Sequence, residues 1–223
     1  LLHSRKVLDV LKNSFVVSLE IATSSVTDVA DVVLPVAAVT EKSGSFLNWE
    51  GRARAFDAAV AESLNRSDVR ILSALADVMG ESIMLGTVSA TAREIAQLGK
   101  WDGARVDFTP VAAGQAPAVS GDQAVLTSWR RLLDMGTMQR GEDNLAGTRR
   151  QTVAVISEKR AASAGVVTGD QVRIANAHGS ITLPVLVEDI HDDAVWIPRN
   201  SFGSQPLIAL DAVHGDVVTV VKA

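Results

Sequence analysis

The chain has 223 residues, a formal net charge of −5 and no cysteine. The charge argues against a nucleic-acid surface, and without thiols there is no disulfide and no thiolate ligand for an iron–sulfur cluster or a structural zinc. At 47% hydrophobic and 21% charged residues the balance is that of a globular protein, and the longest apolar run, around Val32 to Val39, is broken by Pro35 and falls well short of the roughly 18 residues of a membrane span.

The opening "LLHSRKVLDVLK" sets Leu1, Val7, Leu8 and Leu11 at roughly helical spacing. It lacks a Met and reads as the middle of a helix, so a C-terminal fragment is expected. "SFVVSLE" reads as a buried strand, "SSVTDVA" as a short helix, and "DVVLP" as a second strand stopped by Pro35. Strand, helix, strand is the rhythm of a parallel sheet. After a loop at Ser43-Gly44, residues 45 to 56 alternate. A helix follows, with Ser67 as N-cap, a stripe of Val69, Leu72, Leu75, Ala76 and Met79, and a stop at Gly80. Another is expected from about Ser89 to Leu98. Glycines and prolines between Gly99 and Gly121 mark an irregular connection. "DQAVLTSWRRLLDMG" puts Val125, Trp129, Leu132 and Leu133 on one helical face and is expected to be a helix ending near Gly136. Arg130, Arg131, Arg140, Arg149 and Arg150, interleaved with Asp134, Glu142 and Asp143, read as a solvated surface, the alternative being an intersubunit contact. From about Gln151 the period becomes two, and short strands with Gly turns indicate a small β-barrel. Some 70 residues make a marginal core alone, so the barrel is expected to dock on the first part.

The usual catalytic motifs are absent: no phosphate-binding loop, no GxGxxG after a strand, no nucleophile elbow and no HExxH pair. Of four histidines, His178 and His214 precede glycines at turns, His3 is isolated, and His191 lies in "EDIHDD" with Glu188, Asp189, Asp192 and Asp193. That cluster holds carboxylates suited to a divalent cation, but a polar loop between two strands is the favoured reading. The stretch "EKSGSFLNWEGRARAF" remains. As one strand it would align Phe46, Asn48, Glu50, Arg52, Arg54 and Phe56 on a single face, with neighbours about 6.6 Å apart. Such a face lines a pocket if buried, with its charges paired, and is a solvated surface if exposed.

Two blocks carry a resemblance. "TSSVTDVADVVLPVAAVTEKSGSFLNWEGRARAF" resembles a segment of the molybdopterin-dependent oxidoreductase family, through ADVVLP, E-x-x-G-[ST]-F and N-x-E-G-R. "SAGVVTGDQVRIANAHGSITLPVLVEDIHDDAVWIP" resembles that family's molybdopterin-dinucleotide-binding barrel. The resemblance implies an α/β fold: the end of a Rossmann-like parallel-sheet domain over residues 1–85, a helical and irregular connection over 86–150, and a double-psi β-barrel over 151–223. It places Glu41, Gly44, Asn48, Glu50, Gly51 and Arg52, with Asn200 and Ser201 in the barrel tail, at the cleft where relatives hold a pterin. Trp49 beside that motif departs from the commoner small or polar residues and suits packing.

The stretches "SWRRLLDMGTMQRGEDNLAGTRR" and "RNSFGSQPLIAL" are similar to the branch of the family that serves as large iron–sulfur subunits of respiratory NADH-quinone oxidoreductases (complex I), in their actinobacterial form. That branch keeps the fold without the molybdenum cofactor. It implies electron transfer from NADH to quinone by the whole assembly, with iron–sulfur clusters upstream of this chain. It further implies partners among the peripheral-arm subunits, and a position on the cytoplasmic side of the membrane without insertion. Within it this chain is expected to be a scaffold with no catalytic residue and no metal, and Glu50 and Arg52 to be a structural charge pair. Two alternatives stand beside it. One is the tail of an active molybdopterin oxidoreductase such as a formate dehydrogenase, with Asn48, Glu50 and Arg52 touching cofactor or substrate. The other is a small-ligand or protein-binding module that has reused the barrel.

Overall fold

A computed structural model describes residues 5–60, 62–83, 87–107, 109–110 and 114–223. Leu1 and His3 lie outside them. Beyond its first few residues the chain divides into two units, residues 6–110 and residues 111–223.

In the first unit helix α1 (Arg5–Leu11) precedes strands β1 (Val17–Glu20) and β2 (Val32–Pro35). The strands pair in parallel, Val17 opposite Val32 and Glu20 opposite Pro35, so the parallel-sheet part of the expected fold is represented by this pair. The short helix expected between them is instead a turn. Ser24 Oγ accepts from the N–H groups of Val26 and Thr27, while Thr27 Oγ1 accepts from Ser24 N–H and donates to Ser24 O. Hydroxyls bonded locally to the backbone compete with a helical ladder. Strands β3 (Gly44–Leu47) and β4 (Ala53–Phe56) form an antiparallel hairpin. Two helices follow, α2 (Asp68–Val78) and α3 (Val88–Leu98). The first begins after Ser67, whose hydroxyl makes no capping bond, and is followed by Gly80 at φ +82°. The second is capped by Thr87 Oγ1, which accepts from Ala90 N–H at 3.1 Å. The expected apolar stripe of α2 is present, yet neither helix buries a residue. The buried apolar residues described here are Val16, Val26, Val36 and Ala37, all near the strand pair.

The second unit holds β5 (Gln123–Thr127), α4 (Asp143–Gly147), β6 (Ala154–Ile156), α5 (Glu158–Ala164), β7 (Gln171–Asn176), β8 (Gly179–Val187), β9 (Ala194–Trp196), α6 (Pro206–Ala209) and β10 (Val217–Lys222). Its six strands close in the order β10-β5-β9-β6-β8-β7, and two of the pairs, β5–β9 and β6–β8, are parallel. This is the double-psi barrel expected for the second half, although its first strand comes from ahead of residue 151. Alternation drives closure. Val172 and Ile174 of β7, Leu183 and Val185 of β8, and Val218 and Val220 of β10 point inward and are buried, each such side chain contributing about 1.5–3 kcal/mol. Pro184 sits where β8 passes from pairing with β7 (Gln171 opposite Pro184) to pairing with β6 (Ala154 opposite Val185), a position that tolerates its missing N–H. Ser157 Oγ caps α5 by accepting from Arg160 N–H, and Gly165 closes it in the left-handed region.

The helix expected over "DQAVLTSWRRLLDMG" is therefore corrected. Ala124 and Leu126 are fully buried in the barrel core, while Gln123, Val125 and Thr127 alternate with them. A period of two over five residues won over a sparser match to a helical face. Beyond β5 the chain is irregular up to a 3-10 turn at Thr137–Gln139.

Leu126→Ala should lower the unfolding free energy by about 2–5 kcal/mol, whereas Leu132→Ala, at a side chain 95% exposed, should stay within about 0.5 kcal/mol. Urea denaturation followed by circular dichroism checks both.

Candidate functional site

The stretch expected as one strand is a hairpin, and this changes what its charges do. Phe46 lies opposite Arg54 and Gly44 opposite Phe56, so the even-numbered strand residues still share a face. The Phe46 and Phe56 rings stack at 4.6 Å. A Cβ on Gly44 would meet the Phe56 ring at 3.0 Å, so this glycine gives the ring its seat. Asn48, Glu50 and Arg52 do not continue a strand; they form the turn. Asn48 Oδ1 accepts from the N–H groups of Glu50 (3.0 Å) and Arg52 (2.8 Å), and Asn48 O accepts from Gly51 N–H. Gly51 closes the connection at φ +79°, a conformation that side chains disfavour. Trp49, at the tip, is 93% exposed; the packing role expected of it has no partner among the described residues.

Arg52 Nε meets Glu50 Oε2 at 3.0 Å, with side chains 64% and 41% exposed. The pair exists, on the surface of the hairpin. Glu41, in the 3-10 turn Val39–Glu41, lies apart from it. Its carboxylate accepts from Ala38 N–H (2.8 Å), Ser63 Oγ (2.8 Å) and Asn65 Nδ2 (3.1 Å). The Ala38 N–H first, then Ser63 and Asn65, hold its carboxyl below the usual glutamate range. In the barrel unit, Asn200 Oδ1 accepts from Gln205 Nε2, and Ser201 pairs with Ser204 through backbone hydrogen bonds.

The acidic loop is structural in its contacts. Asp192 pairs with Lys159 at 3.3 Å, and His191 Nδ1 accepts from Asp193 N–H. Among the described residues no group of three His, Asp or Glu side chains converges as a metal site. His178 N–H donates to Asn176 Oδ1, and His214 Nδ1 accepts from Ser128 N–H.

A feature that sequence reasoning missed lies on the barrel. A cleft of about 900 Å³ is lined by Trp129, Arg131, Leu132, Leu133, Arg150 and Trp196, among others. Trp196 is buried, its indole N–H makes no hydrogen bond among the described residues, and the ring lies 5.0 Å from that of Trp129. The Arg131 guanidinium stands 5.0 Å over Trp196 and donates to the carbonyls of Arg150 and Gln151. Burial, and then the Arg150 charge, push its pKa below the ordinary arginine value. Arg130 is bound bidentately by Asp134, whose side chain is nearly inaccessible. The signal available in the sequence was the run Trp129-Arg130-Arg131-Leu132-Leu133, read there as one helix face and a solvated charge cluster.

The hairpin and its neighbour can each be tested in solution. Gly51→Ala, placing a Cβ at positive φ, should cost about 1–2 kcal/mol of local stability, and Arg52→Ala less than about 1 kcal/mol; amide exchange across residues 44–56 reads both. Glu41 has a lowered folded-state pKa, so its contribution is in place above the unfolded value and is lost as pH falls through the folded one. Carboxyl NMR titration should show Glu41 below the ordinary value, and Ser63→Ala should raise it.

Comparison with known proteins adds independent findings. Residues 4–78 match the family model for molybdopterin oxidoreductase, and residues 125–220 match that for the molydopterin dinucleotide binding domain. The chain is 45% identical over 209 residues to the NADH-quinone oxidoreductase G subunit of Mycobacterium bovis, covering 92% of this chain and 26% of that protein. It is 44% identical over 223 residues to the protein of the same name in Streptomyces coelicolor, covering 98% and 26%. It thus spans about a quarter of the length of these curated relatives. Among solved structures, acetylene hydratase from Pelobacter acetylenicus aligns over 89% of this chain and 39% of its own, with a TM-score of 0.55 at 15% identity, a likeness of fold alone. One of the two models is matched in each structural unit, and in that order along the sequence, so the chain is similar to the molybdopterin oxidoreductase family in both units.

Proposed function

We propose that this chain is a non-catalytic structural segment of an NADH-quinone oxidoreductase. The observation that carries the reading is 44–45% identity, over nearly the whole chain, to proteins named as the G subunit of that enzyme. Electrons would pass from NADH to quinone through groups held elsewhere in the assembly. Iron–sulfur clusters need thiolate ligands, and this chain has no cysteine, so the clusters would belong to the rest of the protein. The chain would stand in the peripheral arm, against other subunits, on the cytoplasmic face of the membrane. No helix among the described residues is long and apolar enough to cross a membrane.

The polar groups of residues 41–52 are engaged with one another and with nearby backbone, which does not fit a pterin-binding role. Glu41 has its carboxylate engaged by Ala38, Ser63 and Asn65; Asn48 holds the turn; Glu50 and Arg52 face each other. A ligand taking these groups would have to break hydrogen bonds that shape the local backbone. Their role in this reading is to fix a hairpin and a 3-10 turn.

Metal analysis of the full-length protein in its complex should find iron without stoichiometric molybdenum or tungsten; either of those metals at one per chain would overturn the proposal. Arg52→Ala in the same complex should leave turnover per assembled complex unchanged. Lost turnover with full subunit content would also count against it.

A further inference from the structure

We infer that Asp102-Gly103, near the end of the first unit, is a site of spontaneous covalent modification, where the main chain isomerises to isoaspartate through a cyclic imide. The inference needs nothing from the preceding reading. This is the single Asp-Gly pair in the chain, and it lies in the stretch after α3 that forms neither helix nor strand.

The reaction asks three things of its surroundings: a carboxyl that nothing holds, a following amide N–H that nothing holds, and room at the following Cα. All three meet here. The Asp102 side chain is exposed and makes no hydrogen bond or ion pair among the described residues. The Gly103 N–H has no acceptor among them either, and glycine carries no Cβ to hinder its nitrogen. Elsewhere the same groups are engaged. Asp31 accepts from Val16 N–H, and the N–H of the following Val32 donates to Val16 O. Asp216 accepts from Val213 N–H and is followed by a β-branched valine that opens β10. Asp134 is held by Arg130.

Packing explains why position 103 is a glycine. Trp101 Nε1 donates to Ala104 O at 3.2 Å, which folds the indole back over the turn. A Cβ on Gly103 would meet the Trp101 ring at 2.5 Å, so a side chain there would push the ring off its bond to Ala104. The contact that requires a glycine thereby leaves the aspartate before it without steric protection.

The step is a dehydration followed by a hydration. Gly103 N attacks Cγ of the neutral Asp102 carboxyl. An N–Cγ bond forms, and the carboxyl hydroxyl leaves with the amide proton as water. Water then opens the five-membered imide at one of its two carbonyls. Breaking N–Cγ restores aspartate. Breaking the bond from N to the main-chain carbonyl carbon leaves Gly103 joined through Cγ, so the main chain gains one carbon and a carboxylate stands on Cα. No oxidant, reductant or further reactant is consumed.

The test holds the full-length protein in its complex at neutral pH for several weeks and maps it with trypsin. The peptide of residues 101–105 should split into two forms of equal mass, one of them resistant to a protease that cuts ahead of aspartate. Residues 55–66 supply the internal comparison: Asp57 is likewise unpaired among the described residues but is followed by Ala58, and it should convert severalfold more slowly. Gly103→Ala should slow the site severalfold, and Asp102→Glu should stop it, because the imide ring would then be six-membered. A peptide 101–105 that stays single, conversion no faster than at Asp57, or a rate unmoved by Gly103→Ala would overturn the inference. Turnover and metal content play no part in these readouts, so the inference and the proposed function fail separately.

Discussion

Closure of the barrel by β10 is the constraint on which the second unit depends. That strand pairs with β7 on one side and β5 on the other, so it removes both sheet edges at once. Without it β5 and β7 would each present unpaired backbone groups, and the inward residues of both would lose a wall. The core of Leu126, Ile174, Val195, Val218 and Val220 is thus shared among strands that are distant along the chain. The cleft of Trp129 and Trp196 inherits its rigidity from the same closure, because Trp196 ends β9 and Trp129 follows β5, its parallel neighbour.

The first unit is built differently. The apolar stripe of α2 is visible in the sequence and present in the structure, yet neither α2 nor α3 buries a residue. Helices draw most of their stability from tertiary packing of such a face, and two-stranded sheets are marginal alone. Beside the few buried residues at the strand pair, side-chain hydrogen bonds order this unit: Asp31 Oδ2 receiving Val16 N–H, Glu41 gathering Ala38, Ser63 and Asn65, Asn48 holding its turn. A family relative about four times as long offers a physical context for unburied faces of this sort.

Much of this was legible in the sequence. Strands β6 to β10 announced themselves by alternation between Gly turns, and the ends of α2 by Ser67 and Gly80. Two misreadings share one cause. In "QAVLT" and in "EKSGSFLNWEGRARAF" the periodicity was real, but its extent was misjudged. Leu126 belonged to a five-residue strand that stopped before Trp129; residues 46–56 kept one parity through a turn that Asn48 and Gly51 create. Parity survives an odd-length connection between facing residues, so alternation alone cannot separate a strand from a hairpin. The Glu50–Arg52 pair was foreseen, but its exposure depends on what else packs nearby, which no local pattern encodes. The cleft was hidden because its walls come from separate segments, at residues 127–133, 148–155, 186–196 and 214.

The closing strand also has a temporal meaning. β7 and β8 are joined by a tight turn and can zip together early, whereas β10 must return across 44 residues to reach Ala175 and β5 must wait for it from still farther away. Loop-closure entropy comes due before such distant contacts reward it. Until β10 arrives, the strands on either side of it are open ladders in a chain rich in β-branched residues. The same strand that seals the finished barrel is therefore the one whose lateness leaves the nascent unit most exposed to pairing with the wrong molecule.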